Sequence, residues 1–503
     1  MDKLATELIQ EVALQTDDHR DLKSLRLVNR TLNEAVEQVL WDTRPAVVHL
    51  NRDTLHDVMA MLHDLKDGCS ASTRIRQLRI ISLSPQKEFH PPRRYTTFAD
   101  GEWKTVPPEP LDTPKVKEAL ERLPDILPGA LCALKRLVSV QWTINEKDQF
   151  WTQDVVMESL ASLPLLAQFE VDTSATNATP VLSFHKLRQG TLKRLSVKGC
   201  FSDFENLESA LSTLLLHNPN LVELKLDKYS SPHSFQSLIE QLPVNTLRLE
   251  SLHLRGWNVQ PTLKMICHFR SLHTLCLLDD KAKNHHILWK SLQLAGISLR
   301  HLTVEPARSS ELLAYLESFS GLEELSILYP DEERKDSDDL ARRFYQDTLP
   351  RHSESLRKLE VLPHYEGVWA IGLDDVHVFG CCKRLVSLSV SLKADDVQPK
   401  NWDLDVVANL INRLTEIPSM EFIMLRPATP NSYRRARCGT GRVSFITRMT
   451  NEIVLAVEDV QSRTTSFLLS NRQFRVAVKN LGWGRNTEHC VYVLGGGSSE
   501  FSE

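Results

Sequence analysis

The hexapeptide Leu221-Val222-Glu223-Leu224-Lys225-Leu226 and its counterpart Leu299-Arg300-His301-Leu302-Thr303-Val304 decide the fold. Their pattern, Leu-x-x-Leu-x-Leu, ends on two apolar residues spaced by one, the period of a strand that buries one face. It starts again at Leu192, Leu249, Leu272, Leu322, Leu356 and Leu385, with looser copies at Ile75, Leu137, Leu166 and Met420. From Leu137 onward the starts lie 23 to 35 residues apart. One such strand cannot cover its own apolar side. Repeated, with a return segment between copies, it stacks on its neighbours into a solenoid. The return segments read as helices where Leu207–Leu215 and Val406–Ile411 carry the 3.6-residue period. Pro164, Pro219 and Pro418 stand two residues before a motif, where proline ends a helix and leads into extended chain.

The expected class is α/β, with short parallel strands on a concave face and helices outside. Over residues 51–430 this array resembles the leucine-rich-repeat family in its long, irregular, intracellular form. The Asn or Cys that the family places three residues after the last motif Leu occurs only as Asn145 and Cys200. The side-chain ladder that the family builds from that position is therefore expected to be mostly missing.

Composition sets the bounds. A chain of 503 residues with 42% hydrophobic and 25% charged residues is that of a soluble protein with several domains or a repeat array. The net charge of −5 gives no reason to expect nucleic acid as the main partner. With no run of eighteen apolar residues and no leader-like start, neither a membrane span nor secretion is expected. Nine scattered cysteines without a C-x-x-C pair read as reduced thiols of an intracellular protein, cytoplasmic or nuclear.

Ahead of the repeats, three amphipathic runs occupy Leu4 to Trp41. Leu8, Ile9 and Val12 mark the first; Leu22, Leu25 and Val28 the second; Leu32, Ala35, Val36, Val39 and Leu40 the third. Thr31 and Glu34 fit a capping box for the third. A unit of about 40 residues rarely buries enough surface to stand alone, so these helices are expected to pack on the rest of the chain or on a partner. The sequence Leu4-x-x-Glu7-Leu8-Ile9, then Asp21-Leu22-x-x-Leu25-Arg26-Leu27-Val28-Asn29-Arg30, then Leu40-Trp41, resembles an F-box. The family usually has Pro after its first Leu; here that position is Ala5. The resemblance implies an F-box over residues 1–50 that docks on the small Skp adaptor. Leu4, Leu8, Ile9, Leu22, Leu25, Leu27, Val28 and Trp41 match its contact positions. Some of them must face the helices' own core, and the motif does not sort them.

Three stretches break the repeat. Residues 84–128, rich in proline and carrying Tyr95, Phe98 and Trp103, read as an extended insertion, either a loop or an arm that meets a partner. Pro330 to Asp339 reads as an acidic surface loop. Pro363 to Asp375, with Tyr365 and Trp369, is expected on the rim. Residues 431–503 read as a β-like extension, with strands at 443–446, 453–457, 474–478 and 490–494 and a disordered tail from Gly495. Arg434, Arg435, Arg437 and Arg442 form a basic patch there, either a nuclear address or a contact for an acidic partner.

No phosphate loop, dinucleotide fingerprint, H-E-x-x-H or G-x-S-x-G is present. His285-His286 are neighbours that cannot converge on one metal by themselves. The chain is therefore expected to be non-catalytic, with no metal and no cofactor. Between the inward leucines, Lys225, His253 and Arg255 are expected to project from the strands, with Tyr229 and Trp257 at the strand ends. These five are the expected protein-binding surface.

Taken together, the two resemblances imply a substrate receptor of an SCF-type ubiquitin ligase. The adaptor would join it to a cullin and a RING subunit, and the repeats would hold a protein target. A repeat scaffold merely capped by the helices, or an F-box protein acting outside the ligase, are the alternatives.

Overall fold

The computed structural model describes residues 6–16, 19–51, 53–85, 96–99, 102–105, 113–174, 182–188, 190–199, 204–228, 233–278, 285–305, 309–330, 337–399, 401–435, 440–464, 474–480 and 487–494. The fold is α/β, in two compact units, Met1–Ser231 with Ser237–Leu249 and Pro232–Gln236 with Glu250–Glu503.

The first unit opens with helices Thr6–Leu14, His19–Arg26 and Arg30–Thr43. The third is capped by Asn29, not by the expected Thr31–Glu34 box. Asn29 is extended, and its side-chain oxygen accepts from Leu32 N at 2.8 Å. That bond satisfies an N–H which the helix itself leaves without a partner. Glu34 pairs with Arg30 at 2.9 Å instead. Ala13, Leu22, Val36, Val39 and Leu40 bury one another, with Leu25 against them, while Ile9, Leu32 and Ala35 form a second small core. Glu37 on the third helix accepts Arg74 at 2.6 Å, tying the helices to the chain that enters the strand Gln77–Ser82.

Six strands follow in parallel: Ala46–His49, Gln77–Ser82, Ser139–Thr143, Gln168–Asp172, Arg194–Gly199 and Glu223–Lys228. Every strand that carries the motif begins two residues after its first apolar position. The register keeps the copies in phase, with Leu78 opposite Val140, Val140 opposite Phe169, Phe169 opposite Leu195 and Leu195 opposite Leu224. All of these are at most 1% exposed. Helices such as Leu55–Lys66, Pro114–Cys132, Phe150–Ala161 and Phe204–His217 return the chain between strands.

The stretch 84–128 is not one extended insertion. Pro114 opens the helix Pro114–Cys132 at a position where its missing N–H has no helical partner to lose, and Pro124 and Pro128 lie inside that helix. Thr96–Ala99 and Glu102–Thr105 pair as an antiparallel hairpin. Tyr95 and the side chains of Phe98 and Trp103 lie outside the described residues.

Polar side chains brace the turns. Asn145 Nδ2 donates to Ile81 O at 2.6 Å. Asp148, buried, accepts from Leu83 N at 2.9 Å and Asn145 N at 3.0 Å. Burial pushes its carboxyl up to about 6, against the pull of those donors. Cys200 lies outside the described residues. Away from the family's ladder position, Asn218 joins three backbone groups, those of Leu187, Leu192 and Leu214.

The second unit continues the same logic. Ser251–Arg255, Thr274–Leu278, His301–Val304, Glu324–Leu328, Lys358–Leu362, Ser387–Leu392, Phe422–Pro427 and Phe474–Asn480 pair in parallel. Leu252, Leu275, Leu302, Leu325, Leu359, Leu388, Ile423 and Val476 form one buried row across them. Full burial of such a side chain contributes about 1.5–3 kcal/mol. His352, buried, accepts from Leu322 N at Nδ1 (3.4 Å) and lies 3.0 Å from Leu316 O at Nε2. Burial lowers it to about 4, in keeping with a neutral ring that donates at one nitrogen and accepts at the other.

Three expectations fail in this unit. Residues 443–446 and 453–457 are not strands but parts of the helix Thr440–Thr464. Its inward side chains Ile446, Met449, Ile453, Val457 and Val460 recur at helical spacing. The chain then forms a further parallel strand, Phe474–Asn480, and ends the sheet with the antiparallel strand Thr487–Leu494. The tail from Gly495 lies outside the described residues, as do Asp331 to Asp336 of the acidic stretch. Asp338 and Asp339 are not loop residues; they sit in the first turn of the helix Ser337–Arg343. Trp369 is not on a rim. It is 2% exposed and packs on Phe344 and Tyr345, whose hydroxyl donates to its carbonyl at 3.0 Å.

Candidate interaction surfaces

The N-terminal helices sort the motif residues into two groups. Ile9 (8% exposed) and Leu22 (2%) point into the bundle, and Leu25 is half-buried against it. They are structural, because their apolar area is already taken. Leu8 (55%), Leu27 (88%) and Val28 (63%) remain in solvent, as do Val12 (65%) and Leu14 (50%). Leu8 and Val12 are four residues apart on one helix and therefore share a face. Leu27 and Val28 form the turn after the second helix, held by backbone bonds to Ser24 O and Leu25 O. Arg26 pins that turn to the third helix, donating to Asn33 at 3.0 Å and lying 3.8 Å from Glu37. Leu4 and the side chain of Trp41 lie outside the described residues.

Isolated apolar side chains on a surface are ordinary. Here five fall within twenty-one residues, on a unit whose own core is small.

On the strands, side chains alternate as the pleat demands. In the first unit Lys225 is exposed and pairs with Glu223 at 2.7 Å, and Glu223 also meets Arg194 at 3.3 Å. Ser139, Gln141, Gln168, Glu170, Arg194, Ser196, Glu223 and Lys225 line a shallow polar groove. Tyr229 lies outside the described residues. In the second unit His253 and Arg255 are half-buried and alternate with the buried Leu252 and Leu254, so they share one face. His273, Thr274 and His301 stand together, with Thr274 Oγ1 3.0 Å from His301 Nδ1 and the two rings edge to face at 6.5 Å.

Trp257 does not join them. Gly256, at φ +70, turns the chain into a short strand, Trp257–Asn258, that pairs with His233–Ser234. The indole is 4% exposed and meets Phe235 edge to face at 6.3 Å. It is a core residue, removed from the expected binding surface by a turn that only a left-handed residue makes easily.

Among the described residues, no group of three or more His, Cys, Asp or Glu side chains converges to hold a metal ion, and no helix is long and apolar enough to cross a membrane. Compared with known proteins, no family model matches the chain and no curated protein matches it.

Proposed function

We propose that this chain is a non-catalytic recognition subunit of an SCF-type ubiquitin ligase. In this reading the three N-terminal helices are an F-box that docks on a Skp adaptor, and through it on cullin and RING subunits. The strand–helix array is a leucine-rich-repeat solenoid that holds a protein target. Such a receptor breaks no bond; it raises the effective concentration of target lysines at the ubiquitin thioester.

One observation carries the reading. Leu8, Leu27 and Val28, positions that match the F-box motif, remain outside the bundle's own core. The strand faces of the repeats, mixed in charge around Arg194, Glu223 and Lys225, suit a protein partner. The test is co-purification of the full chain with a Skp adaptor and a cullin, comparing wild type with Leu27→Glu/Val28→Glu. Loss of both partners with an unchanged melting temperature supports the reading. A variant that captures adaptor at wild-type yield contradicts it.

A further inference from the structure

The second unit carries two neighbouring cysteines, Cys381 and Cys382, where the 3-10 helix Leu373–Cys381 gives way to the approach to the strand Ser387–Leu392. Neighbouring side chains ordinarily part, to opposite faces of a strand or to different sides of a helix. Here they meet, with the two Sγ atoms 3.7 Å apart. The cause lies in the backbone. Cys382 takes φ −85 and ψ 78, and Lys383 N donates to Cys381 O at 3.1 Å, which makes Cys382 the centre of an inverse γ-turn. Bonds on both sides fix that turn, Cys382 N donating to Phe379 O at 3.0 Å and Leu385 N to Cys382 O at 3.3 Å. A side chain at Gly380 would meet Arg413, Cβ to Nη2 at 2.9 Å, so the chain just before the pair is closely packed.

The two thiols are not equivalent. Cys382 is fully buried, whereas Cys381 is half-buried. As a thiol, Cys381 donates to Val378 O at 3.3 Å. As a thiolate it accepts from Cys382, and that bond, aided by the charge of the exposed Lys383, holds Cys381 down to about 7. The same bond, and then burial, push Cys382 up, so it keeps its proton. A sulfur within reach of solvent that ionises readily, touching a second that stays protonated, is the arrangement of an attacking thiol with its resolving partner.

We propose that Cys381 and Cys382 are a reversible oxidation site, converted by a hydroperoxide to a disulfide between neighbours. The Cys381 thiolate attacks one peroxide oxygen, the O–O bond breaks, and the leaving alkoxide takes up the proton that Cys381 released. Cys381 is then a sulfenic acid. The Cys382 sulfur attacks Cys381 Sγ, the S–O bond breaks, and hydroxide leaves with the Cys382 proton as water. Two electrons pass from the sulfur pair to the peroxide, giving one disulfide, one alcohol and one water. The sulfurs close from 3.7 Å to about 2.05 Å. Neighbouring Cα atoms are about 3.8 Å apart, closer than disulfides ordinarily hold them, so such a bridge is strained and readily reduced by thiols. The site stands apart from adaptor docking and does not need it.

Treatment of the full chain with hydrogen peroxide, then alkylation in denaturant, tryptic digestion and mass spectrometry, tests it. Cleavage after Lys358 and Lys383 puts both cysteines, and no other, on one peptide, residues 359–383. That peptide carries two labels in the untreated chain. After peroxide it is expected to carry none and to have lost two hydrogens, with both labels restored by dithiothreitol. At pH 7 its oxidation is expected to run about fivefold ahead of that of Cys69 and Cys132, since the larger thiolate fraction outweighs the lower nucleophilicity of a weaker base. Peroxide treatment in urea removes that lead. Cys382→Ser is expected to stop at the sulfenic acid, which dimedone traps on Cys381, where the wild type yields almost no adduct. Two labels retained on the peptide while Cys69 or Cys132 is oxidised, a bridge from either sulfur to another cysteine, a lead undiminished in urea, or no dimedone adduct in folded Cys382→Ser overturns the proposal.

Discussion

The N-terminal helices and the strand–helix repeats use leucine in opposite ways. In the repeats, Leu224, Leu252, Leu325, Leu359 and Leu388 are at most 1% exposed, each paired with a buried neighbour in register. In the first helices Leu8 and Leu27 are 55% and 88% exposed, although the bundle has a core of its own around Leu22 and Val36. The difference separates residues that make the fold from residues kept available. Leucines of the first kind report on stability, and the proposed docking rests on those of the second.

The sharpest break of that contrast is at Trp257 and Leu325. Trp257→Ala is expected to cost about 3–5 kcal/mol and Leu325→Ala about 2–5 kcal/mol, the loss of a large core side chain plus the cavity it leaves. Urea denaturation measures it. A small cost for Trp257→Ala would return that residue to the surface.

A second prediction concerns pH. The unfolded chain protonates His352 near 6.5, whereas the folded chain holds it neutral to about 4. Stability is therefore complete above pH 6.5 and falls as pH drops through that window, by about 3 kcal/mol in full. Asp148 acts with the opposite sign. Raised from 3.8 to about 6, it contributes its share at low pH and loses it as pH rises through 6. Denaturation midpoints between pH 4 and 7 are expected to change slope in His352→Gln and in Asp148→Asn, in opposite directions. An unaltered profile in both would remove this account of the two side chains.

Smaller effects belong to the bundle. Asn29→Ala, which deletes the cap on Leu32 N, is expected to cost about 1 kcal/mol by thermal melting. Leu27→Ala is expected to move stability by no more than about 0.5 kcal/mol, because the side chain has almost nothing to lose on its own surface. A cost of several kcal/mol there would mean that the residue is core after all.

Much of this organisation is legible in the amino-acid sequence, because a strand with one buried face must repeat every second residue. Each motif copy begins its strand two residues in. Ala46–His49 has no counterpart among the expected strands, and Phe474–Asn480, expected as a β-like run over 474–478, was not expected to extend the repeat. Their pairing with Leu78 and with Ile423 puts Thr43 and Gln473 where the motif has its first leucine, so the signal is silent there. The helix Thr440–Thr464 was obscured by its own composition, since Ile453 to Val457 reads locally as a strand while the wider spacing from Ile446 to Val460 is helical. The candidate surfaces were less legible. Leu22 lies within the helix His19–Arg26 and is buried, whereas Leu27 lies in the turn beyond it and is exposed, yet both satisfy one motif. Trp257 was misplaced because Gly256 reverses the chain, and a turn of that kind has no periodic signature. The meeting of Arg434 with Tyr365 joins stretches about seventy residues apart, a contact that no local pattern encodes.

The most direct measurement of the central claim is the affinity of the full chain for a purified Skp adaptor, wild type against Leu27→Glu/Val28→Glu, by calorimetry. Wild-type binding with a loss of about thirtyfold or more in the variant, at an unchanged melting temperature, is the predicted result, since one docked leucine contributes about 2 kcal/mol. No binding by the wild type, or equal binding by both, would contradict it.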